Sequence, residues 1–333
     1  MISNNSMSIS SRIGVVIIGR NEGERLVRCL KSLVQHTNQM VYVDSGSTDS
    51  SIRVAAELGA DILALDMSQP FTAARARNEG YTLLKKIFPR IEFVQFVDGD
   101  CEVNAQWLEC ATSFLDSHAH VAAVCGRRRE RFPDKTVYNK LCDIEWDSPV
   151  GEAKACGGDV LMRVIPFESV HGFRAGLIAG EEPELCVRLR AAGWKIWRLE
   201  QEMTLHDAAM TTFGQWWKRT MRAGHAFAEG AYLHGAPPEQ HWVQESKRAW
   251  IWGLIIPVIA LLLSLISVKW GLLCLLIYPI QVIRLAKHNS KLGKEAWMRA
   301  FFLVLGKFPE MVGQVKFFQR VCNGKQGSLI EYK

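Results

Sequence analysis

The chain has 333 residues, 48 % of them hydrophobic, and a net charge of +6. That is enough for a sizeable core, in one large domain with an appendage or in two modest ones. The charge is uneven: Arg284 to Lys333 holds 10 Lys/Arg against 3 Asp/Glu, and the remainder 30 against 31, so a membrane surface suits the basic tail better than nucleic acid.

Nine cysteines are scattered without a Cys-x-x-Cys pair, so neither a zinc site nor a disulfide framework is indicated. They read as reduced, mostly buried thiols of a cytosolic protein. Met1 to Ser11 is rich in Ser and Asn and lacks an apolar stretch, so no secretory signal is expected.

In chain order, Val15 to Ile18 reads as a short apolar strand, followed by the polar turn Gly19-Arg20-Asn21-Glu22. Leu26, Leu30 and Leu33 then mark one face of a helix. Met40 to Val43 is a second strand ending on Asp44-Ser45-Gly46-Ser47-Thr48-Asp49, where Ser47, Thr48 or Asp49 could cap the next helix. That helix carries Ile52, Ala55, Ala56 and Leu58 and stops at Gly59. Asp61 to Leu65 is a third strand, and Ala73 to Lys86 a third helix. A fourth strand, Phe93 to Val97, stops on Asp98-Gly99-Asp100. Alternating strands and helices predict an α/β domain whose mainly parallel central sheet is covered on both faces. Ligands of such sheets sit beyond the carboxyl ends of the strands, where both acid-bearing turns fall.

Asp98 and Asp100 carry the most specific chemistry. Two carboxylates at a strand end, with only glycine between them, suit a hard divalent cation shared with phosphate oxygens. Asp44 has two readings, a tight turn that opens a helix or a contact to a nucleoside near the turn's N–H groups. Cys156-Gly157-Gly158-Asp159 also has two: a turn into the run Val160-Leu161-Met162, or a place where backbone approaches a sugar and Asp159 binds its hydroxyls. Trp146 is either a stacking platform for an acceptor or a core residue. His206, at a strand end, is either a ligand or structural. Arg127-Arg128-Arg129-Glu130-Arg131 reads as a solvated surface run, with anionic lipid or a diphosphate as alternative partners.

Six segments in this order resemble the signatures of family 2 glycosyltransferases. They are Val15 to Ile18 with Arg20-Asn21-Glu22, Val43 to Asp49, Ala76-Arg77-Asn78-Glu79-Gly80, Asp98-Gly99-Asp100, Gly172-Phe173-Arg174, and Gly180-Glu181-Glu182-Pro183-Glu184-Leu185-Cys186-Val187-Arg188-Leu189. The resemblance covers roughly residues 12 to 210 and implies a GT-A nucleotide-sugar-binding fold. It also implies a divalent metal, Mn2+ or Mg2+, and transfer with inversion at the anomeric carbon. Carried over, Asn21, Glu22, Asp44, Arg77 and Asp98 would bind the donor, Arg77 at the base or diphosphate. Asp100 would ligate the metal with Asp98 beside it, and His206 could join the metal or diphosphate. The family's Glu-Asp pair is Glu181-Glu182 here, which places Glu182 at the catalytic-base position with a side chain one methylene longer.

The chemistry is consistent with these roles. Expelling a nucleoside diphosphate needs its charge neutralised, and an acceptor hydroxyl needs a base. As a local alternative, Glu182 just before Pro183 is an ordinary first-turn helix acid. A Rossmann oxidoreductase is the rival enzyme class, although its glycine fingerprint is missing after Ile18. A membrane-anchored GT-A-like protein without turnover is the non-enzymatic rival.

Ala249 to Val268 is a run of 20 uncharged, mainly apolar residues, and after Lys269 the stretch Trp270 to Ile283 supplies 14 more. The first is long enough to cross a bilayer and the second is short for it. A buried core helix is the alternative, but Trp250, Trp252 and Trp270 lie near the segment ends as in an interfacial belt. A hairpin, spanning or re-entrant, would return the basic tail to the side of the N-terminal domain. Trp297, Phe301, Phe302, Leu305, Phe308, Met311 and Val312 then mark an interfacial amphipathic helix. Phe213 to His225, with Gln215-Trp216-Trp217-Lys218-Arg219, reads as a basic aromatic platform at the membrane surface and lacks the spacing of a processive synthase.

The expected organisation is a catalytic domain over 12–245, a helical membrane hairpin over 249–285 and a basic amphipathic tail over 286–333. The expected partners are a nucleotide-sugar donor, a saccharide or lipid-linked acceptor and membrane lipids, and not nucleic acid. The catalytic domain is expected to face the cytoplasm at the inner or plasma membrane, in glycan, polysaccharide or glycolipid biosynthesis.

Overall fold

The computed structural model describes residues 9–324. The expectations for Met1 to Met7 and Ser8, and for the last basic residues Lys325 and Lys333, lie outside them. Two compact units divide between Thr211 and Thr212.

The first unit is built on nine strands: β1 Ile13–Gly19, β2 Met40–Asp44, β3 Asp61–Ala64, β4 Phe93–Asp98, β5 Cys101–Val103, β6 Val121–Glu130, β7 Gly151–Glu152, β8 Val160–Arg163 and β9 Lys195–His206. They form one sheet in the order β3-β2-β1-β4-β8-β6-β9-β5, with β7 paired to β9. Strands β1, β2 and β4 are buried along nearly their whole length, as their uninterrupted apolar runs require in a sheet covered on both faces. The expected parallel character holds for β3, β2, β1 and β4. Beyond β4 the sheet is mixed: β8 runs antiparallel to β4 and β6, and β5 and β7 antiparallel to β9.

Register positions the site. β1 pairs Gly19 with Asp44 of β2 and Ile18 with Asp98 of β4, so both acid-bearing strand ends flank the end of β1. The helix Glu24–Leu33 buries Leu26, Cys29, Leu30 and Leu33 on one face, as expected from the apolar stripe. The helix Ser51–Glu57 is capped one residue later than expected, at Ser50, although Asp49 Oδ1 accepts the Ser51 N–H at 2.9 Å.

The helix Ala73–Ile87 starts at Thr72, whose hydroxyl accepts the Arg75 N–H at 3.0 Å. Gly80 brings this helix down onto the sheet: a β-carbon there would lie 2.5 Å from Val43 Cγ2 and 2.6 Å from Val16 Cγ1. That close approach also fixes Arg77, one turn earlier, near the strand ends. Gly80→Val is therefore expected to overpack the contact by about 1–3 kcal/mol. The check is a lowered thermal midpoint of the detergent-solubilised protein together with weaker donor binding.

The second unit is helical. Phe213–His234 opens with a capping box between Thr212 and Gln215. Val243–Trp250 continues through a π turn, Ile251–Ile255, into Ile256–Ile266; the wider turn precedes Pro257, which has no N–H to donate. Val268–Leu275, Ile277–His288, Glu295–Leu305 and Lys307–Cys322 follow. A β-carbon on Gly271 would collide with Ser264, and Tyr278 Oη donates to the Trp252 carbonyl at 2.6 Å. These contacts fold Val243–Ile266 and Val268–His288 into an antiparallel hairpin.

The two arms have 24 and 21 residues; their most apolar 18-residue stretches have mean hydropathies of 2.5 and 1.5, and only 22 % and 6 % of those stretches are buried. A core helix would be mostly buried, so these two are helices long and apolar enough to cross a membrane. The second arm is longer than the run Trp270 to Ile283 suggested, because the helix takes in Lys269, Arg284, Lys287 and His288 at its ends.

Gly224 and Gly313 let the helix Phe213–His234 touch Lys307–Cys322 backbone to backbone, and Glu229 and Arg320 pair between them. Trp216 packs edge-on against Phe302 at 5.0 Å and is buried, so the expected surface platform is partly the core of this unit. Trp297 and Phe301 are exposed, but the expected single amphipathic helix is two, Glu295–Leu305 and Lys307–Cys322, and Phe308 packs on Tyr278.

Candidate active site

The site lies at the carboxyl edge of β1, β2 and β4. Asp44 is 2 % exposed and shapes its own turn: Oδ2 accepts the N–H groups of Gly46 (3.0 Å) and Ser47 (2.8 Å), and Oδ1 the Tyr42 hydroxyl (3.2 Å). These bonds fix the carboxylate's orientation at the strand end. Asn21, at φ 54°, ties the first turn to this one: Oδ1 accepts the Thr48 N–H at 2.7 Å, and its own N–H donates to Ser47 Oγ at 2.9 Å. Glu22 pairs with Arg25 at 2.9 Å beside the same turn. A Rossmann phosphate cradle is absent here, since side chains hold the turn where glycines would open it.

Arg77 is 3 % exposed and lies under the site, with Nη2 2.8 Å from Asp98 Oδ1 and Nη1 2.6 Å from Glu181 Oε1. Its forked donors thus meet two carboxylates at once. The flanking carboxylates outweigh burial and hold its pKa above the ordinary value. In return, the arginines keep Asp98 below the usual carboxylate range, against the opposing effect of burial.

Asp159 is buried, with Oδ1 accepting the Asp98 N–H at 3.2 Å and Oδ2 the Thr204 hydroxyl at 2.8 Å. Through the first of these bonds it anchors Asp98. The strap that leads to it passes directly over the pair beneath: a β-carbon on Gly158 would sit 3.0 Å from Arg77 Nη2 and 3.1 Å from Asp98 Oδ2.

Asp100 and His206 meet, with Asp100 Oδ1 3.2 Å from His206 Nε2. Asp100, Cys101 and His206 form one group able to hold a metal, and Asp98, Cys101 and Asp159 another. Burial pushes the Cys101 thiol up, and the hard donors of the group are Asp100 and His206. An oxygen and an imidazole nitrogen side by side fit Mn2+ or Mg2+ completed by phosphate oxygens. In the second group both Asp98 oxygens already face arginines, so Asp100 is the better placed of the two aspartates. Glu130 Oε2, 3.9 Å from His206 Nδ1, backs the imidazole. Trp146 stands edge-on to His206, with ring centroids 4.8 Å apart, at the rim of this group.

Glu182 starts the helix Glu181–Ala191 as expected but is sealed in. Its oxygens accept the N–H groups of Cys156 (2.9 Å) and Gly157 (2.8 Å) and the Cys186 thiol (2.8 Å), and it is 2 % exposed. Burial raises its pKa above the ordinary value in spite of these bonds. Glu181, its neighbour, faces Arg77.

Within the run Arg127 to Arg131, Arg129 is exposed and pairs with Glu202, while Arg127 and Arg128 turn inward. Arg127 pairs with Asp143 at 3.2 Å and Asp147 at 3.3 Å, and Arg128 turns into the site. Register shifts in β6 on either side of Arg127 re-aim these side chains, which strand alternation alone does not predict. Arg128, Glu130, Glu181 and Thr204 are the participants that sequence reasoning passed over or left without a role. Their only local signal was charge or hydroxyl character in buried strands and at a helix start.

The mixed α/β sheet with acids at its carboxyl edge has the GT-A fold. The comparison with solved structures agrees: mannosyltransferase PcManGT from Pyrobaculum calidifontis, in complex with GDP-Man and Mn2+, matches with a TM-score of 0.61 at 16 % identity, over 91 % of this chain and 87 % of that one. Residues 14–157 match the family model described as glycosyl transferase family 2. Glycosyltransferase AglE of Haloferax volcanii is 25 % identical over 227 residues, 64 % of this chain and 71 % of that protein. An uncharacterized glycosyltransferase of Rickettsia conorii, RC0292, is 36 % identical over 56 residues, 17 % of this chain and 20 % of that one. The chain is a glycosyltransferase with a GT-A fold, similar to family 2 over residues 14–157.

Proposed function

We propose that this enzyme is an inverting, metal-dependent glycosyltransferase that moves a sugar from a nucleotide sugar to a membrane-associated saccharide or lipid acceptor. The observation that carries the reading is the pairing of Asp100 with His206 at 3.2 Å, two residues beyond the arginine-clamped Asp98. Asp100 and His206 would hold the metal, which when bound neutralises charge on the leaving diphosphate. Asp98 keeps a fixed orientation toward the donor because Arg77 and Arg128 hold its two oxygens. Transfer breaks the bond between the anomeric carbon and the phosphate oxygen and forms one to the acceptor oxygen, whose proton passes to a carboxylate. Glu182 is that carboxylate in this proposal, and its raised pKa suits a proton acceptor near neutral pH. Access to it requires the Cys156-Gly157 strap to yield, since its N–H groups occupy both oxygens.

The hairpin supports an acceptor at the membrane. Its 24- and 21-residue arms match a bilayer's apolar thickness, and both outer ends leave on one face. Arg284, Lys287, Lys291 and Lys294 cluster at the exit of the second arm, which favours a cytoplasmic face for both ends. A synthesis of glycan, polysaccharide or glycolipid fits that placement.

The test is nucleoside diphosphate release by the full-length protein in detergent with Mn2+ or Mg2+, over a panel of nucleotide sugars. GDP-mannose comes first, because the Pyrobaculum enzyme binds GDP-Man. Metal-dependent release from one donor is the expected result. Donor binding without release, with every membrane-lipid acceptor tried, would instead support the anchored protein without turnover.

A further inference from the structure

Arg128 stands at the centre of a closed ring of contacts. Its Nη2 lies 3.2 Å from Asp98 Oδ2 and its Nε 2.9 Å from Asp159 Oδ2. Asp159 in turn accepts the Asp98 backbone N–H at 3.2 Å, which closes the ring. With Arg77 on Oδ1, the Asp98 carboxylate is gripped on both oxygens and at its own backbone. The Asp159 side chain is 0 % exposed, so its charge depends on the cation beside it. Trp146 lies over the Arg128 guanidinium, 5.2 Å from ring centroid to Cζ, and edge-on to His206. One indole therefore covers both the cation that holds Asp98 and the imidazole that faces Asp100.

We infer that Arg128 is a positioning residue for donor binding, held by Trp146, and that Trp146 ties the Asp98 half of the site to the Asp100 half. Trp146 then acts on the donor pocket through Arg128 and His206, and not as a platform that stacks an acceptor sugar. The geometry explains why a lone cation would not serve. Arg128 must meet two carboxylates at once through different nitrogens, which the planar fork of arginine allows and the single ammonium of lysine does not. This inference rests on the proposed donor site and adds the residues that keep it in shape.

The test uses the full-length protein in detergent and compares Arg128→Lys, Trp146→Phe and Trp146→Ala with the wild type. Mn2+ binding is followed alone by paramagnetic resonance, and binding of GDP and UDP with Mn2+ by calorimetry, alongside thermal unfolding. Arg128→Lys is expected to weaken Mn2+-nucleotide binding about tenfold, the size of one charge-assisted hydrogen bond lost, with the thermal midpoint nearly kept. Trp146→Ala is expected to weaken both Mn2+ and Mn2+-nucleotide binding, and Trp146→Phe to restore much of each. In turnover, the loss should fall on the donor KM more than on kcat, with the acceptor KM unchanged.

The inference is overturned if Arg128→Lys and Trp146→Ala bind Mn2+ and nucleotide as the wild type does. It is equally overturned if Trp146→Ala raises only the acceptor KM, or if every binding loss simply follows a fall in thermal midpoint. A wild-type protein that binds neither nucleotide with Mn2+ would instead overturn the donor reading on which the inference rests.

Discussion

Replacing Asp100 with alanine is expected to lower sugar transfer by about a thousandfold or more, a loss of the order seen when a group that stabilises transition-state charge is removed. The expectation rests on its place: Asp100 faces His206 at 3.2 Å, and its neighbours Cys101 and Asp98 cannot replace it. Cys101 offers a soft sulfur that suits a hard cation poorly, and Asp98 is committed to Arg77 and Arg128. Mn2+ binding by Asp100→Ala should be lost together with transfer, while the thermal midpoint changes little. Asp98→Ala should behave differently, since it leaves two arginines without their shared carboxylate and so lowers the thermal midpoint as well as activity. Transfer that survives both Asp100→Ala and removal of metal with a chelator would sink the metal-dependent mechanism.

Glu182→Gln is expected to reduce kcat by about 10²- to 10⁴-fold, the usual contribution of a general base, with donor binding largely intact. The pH profile gives an independent reading. A base works only when ionised, and burial raises the Glu182 pKa, so activity should fall as pH drops through that raised value. The acidic limb should vanish in the weakly active Gln variant.

Glu182 also carries a structural load, because it holds the N–H groups of Cys156 and Gly157. Glu181→Gln is the companion variant. Its partner is Arg77, so it should weaken donor binding without removing the acidic limb. If Glu182→Gln kept kcat and Glu181→Gln abolished it, the base would be Glu181 and Glu182 would serve only to fasten the strap.

Much of this protein was legible in one dimension because its signals are local. An uninterrupted apolar run such as Val15 to Ile18 can only be a doubly covered strand or a buried helix, and its length and the polar turn after it decide for the strand. Asp98-Gly99-Asp100 stands out because two acids directly after buried residues need a reason to be there. The hairpin was visible for the same cause, although its second arm is longer than its uncharged run, since helix geometry lets Lys269 and Arg284 sit at the ends.

Side-chain roles fared less well, and the reason is physical. Arg77 meets Glu181 across 104 residues of sequence, so whether its guanidinium turns to a ligand or to a carboxylate depends on folding partners that no local pattern names. Asp44 and Asp159 matched positions expected to touch ligand, yet nearby N–H and hydroxyl groups satisfy them from within.

By itself, then, the order of apolar runs, turns and acids determined the sheet's first four strands, the two acid-bearing turns and the apolar hairpin, since each follows from residues adjacent in the chain. Only the tertiary structure decided that Arg128 leaves a presumed surface run to clamp Asp98, that Trp146 covers it, and that Glu182 is sealed by a strap. Those outcomes turn on a bulge in β6 and on pairings between distant strands, where small shifts of register decide which way a charged side chain faces.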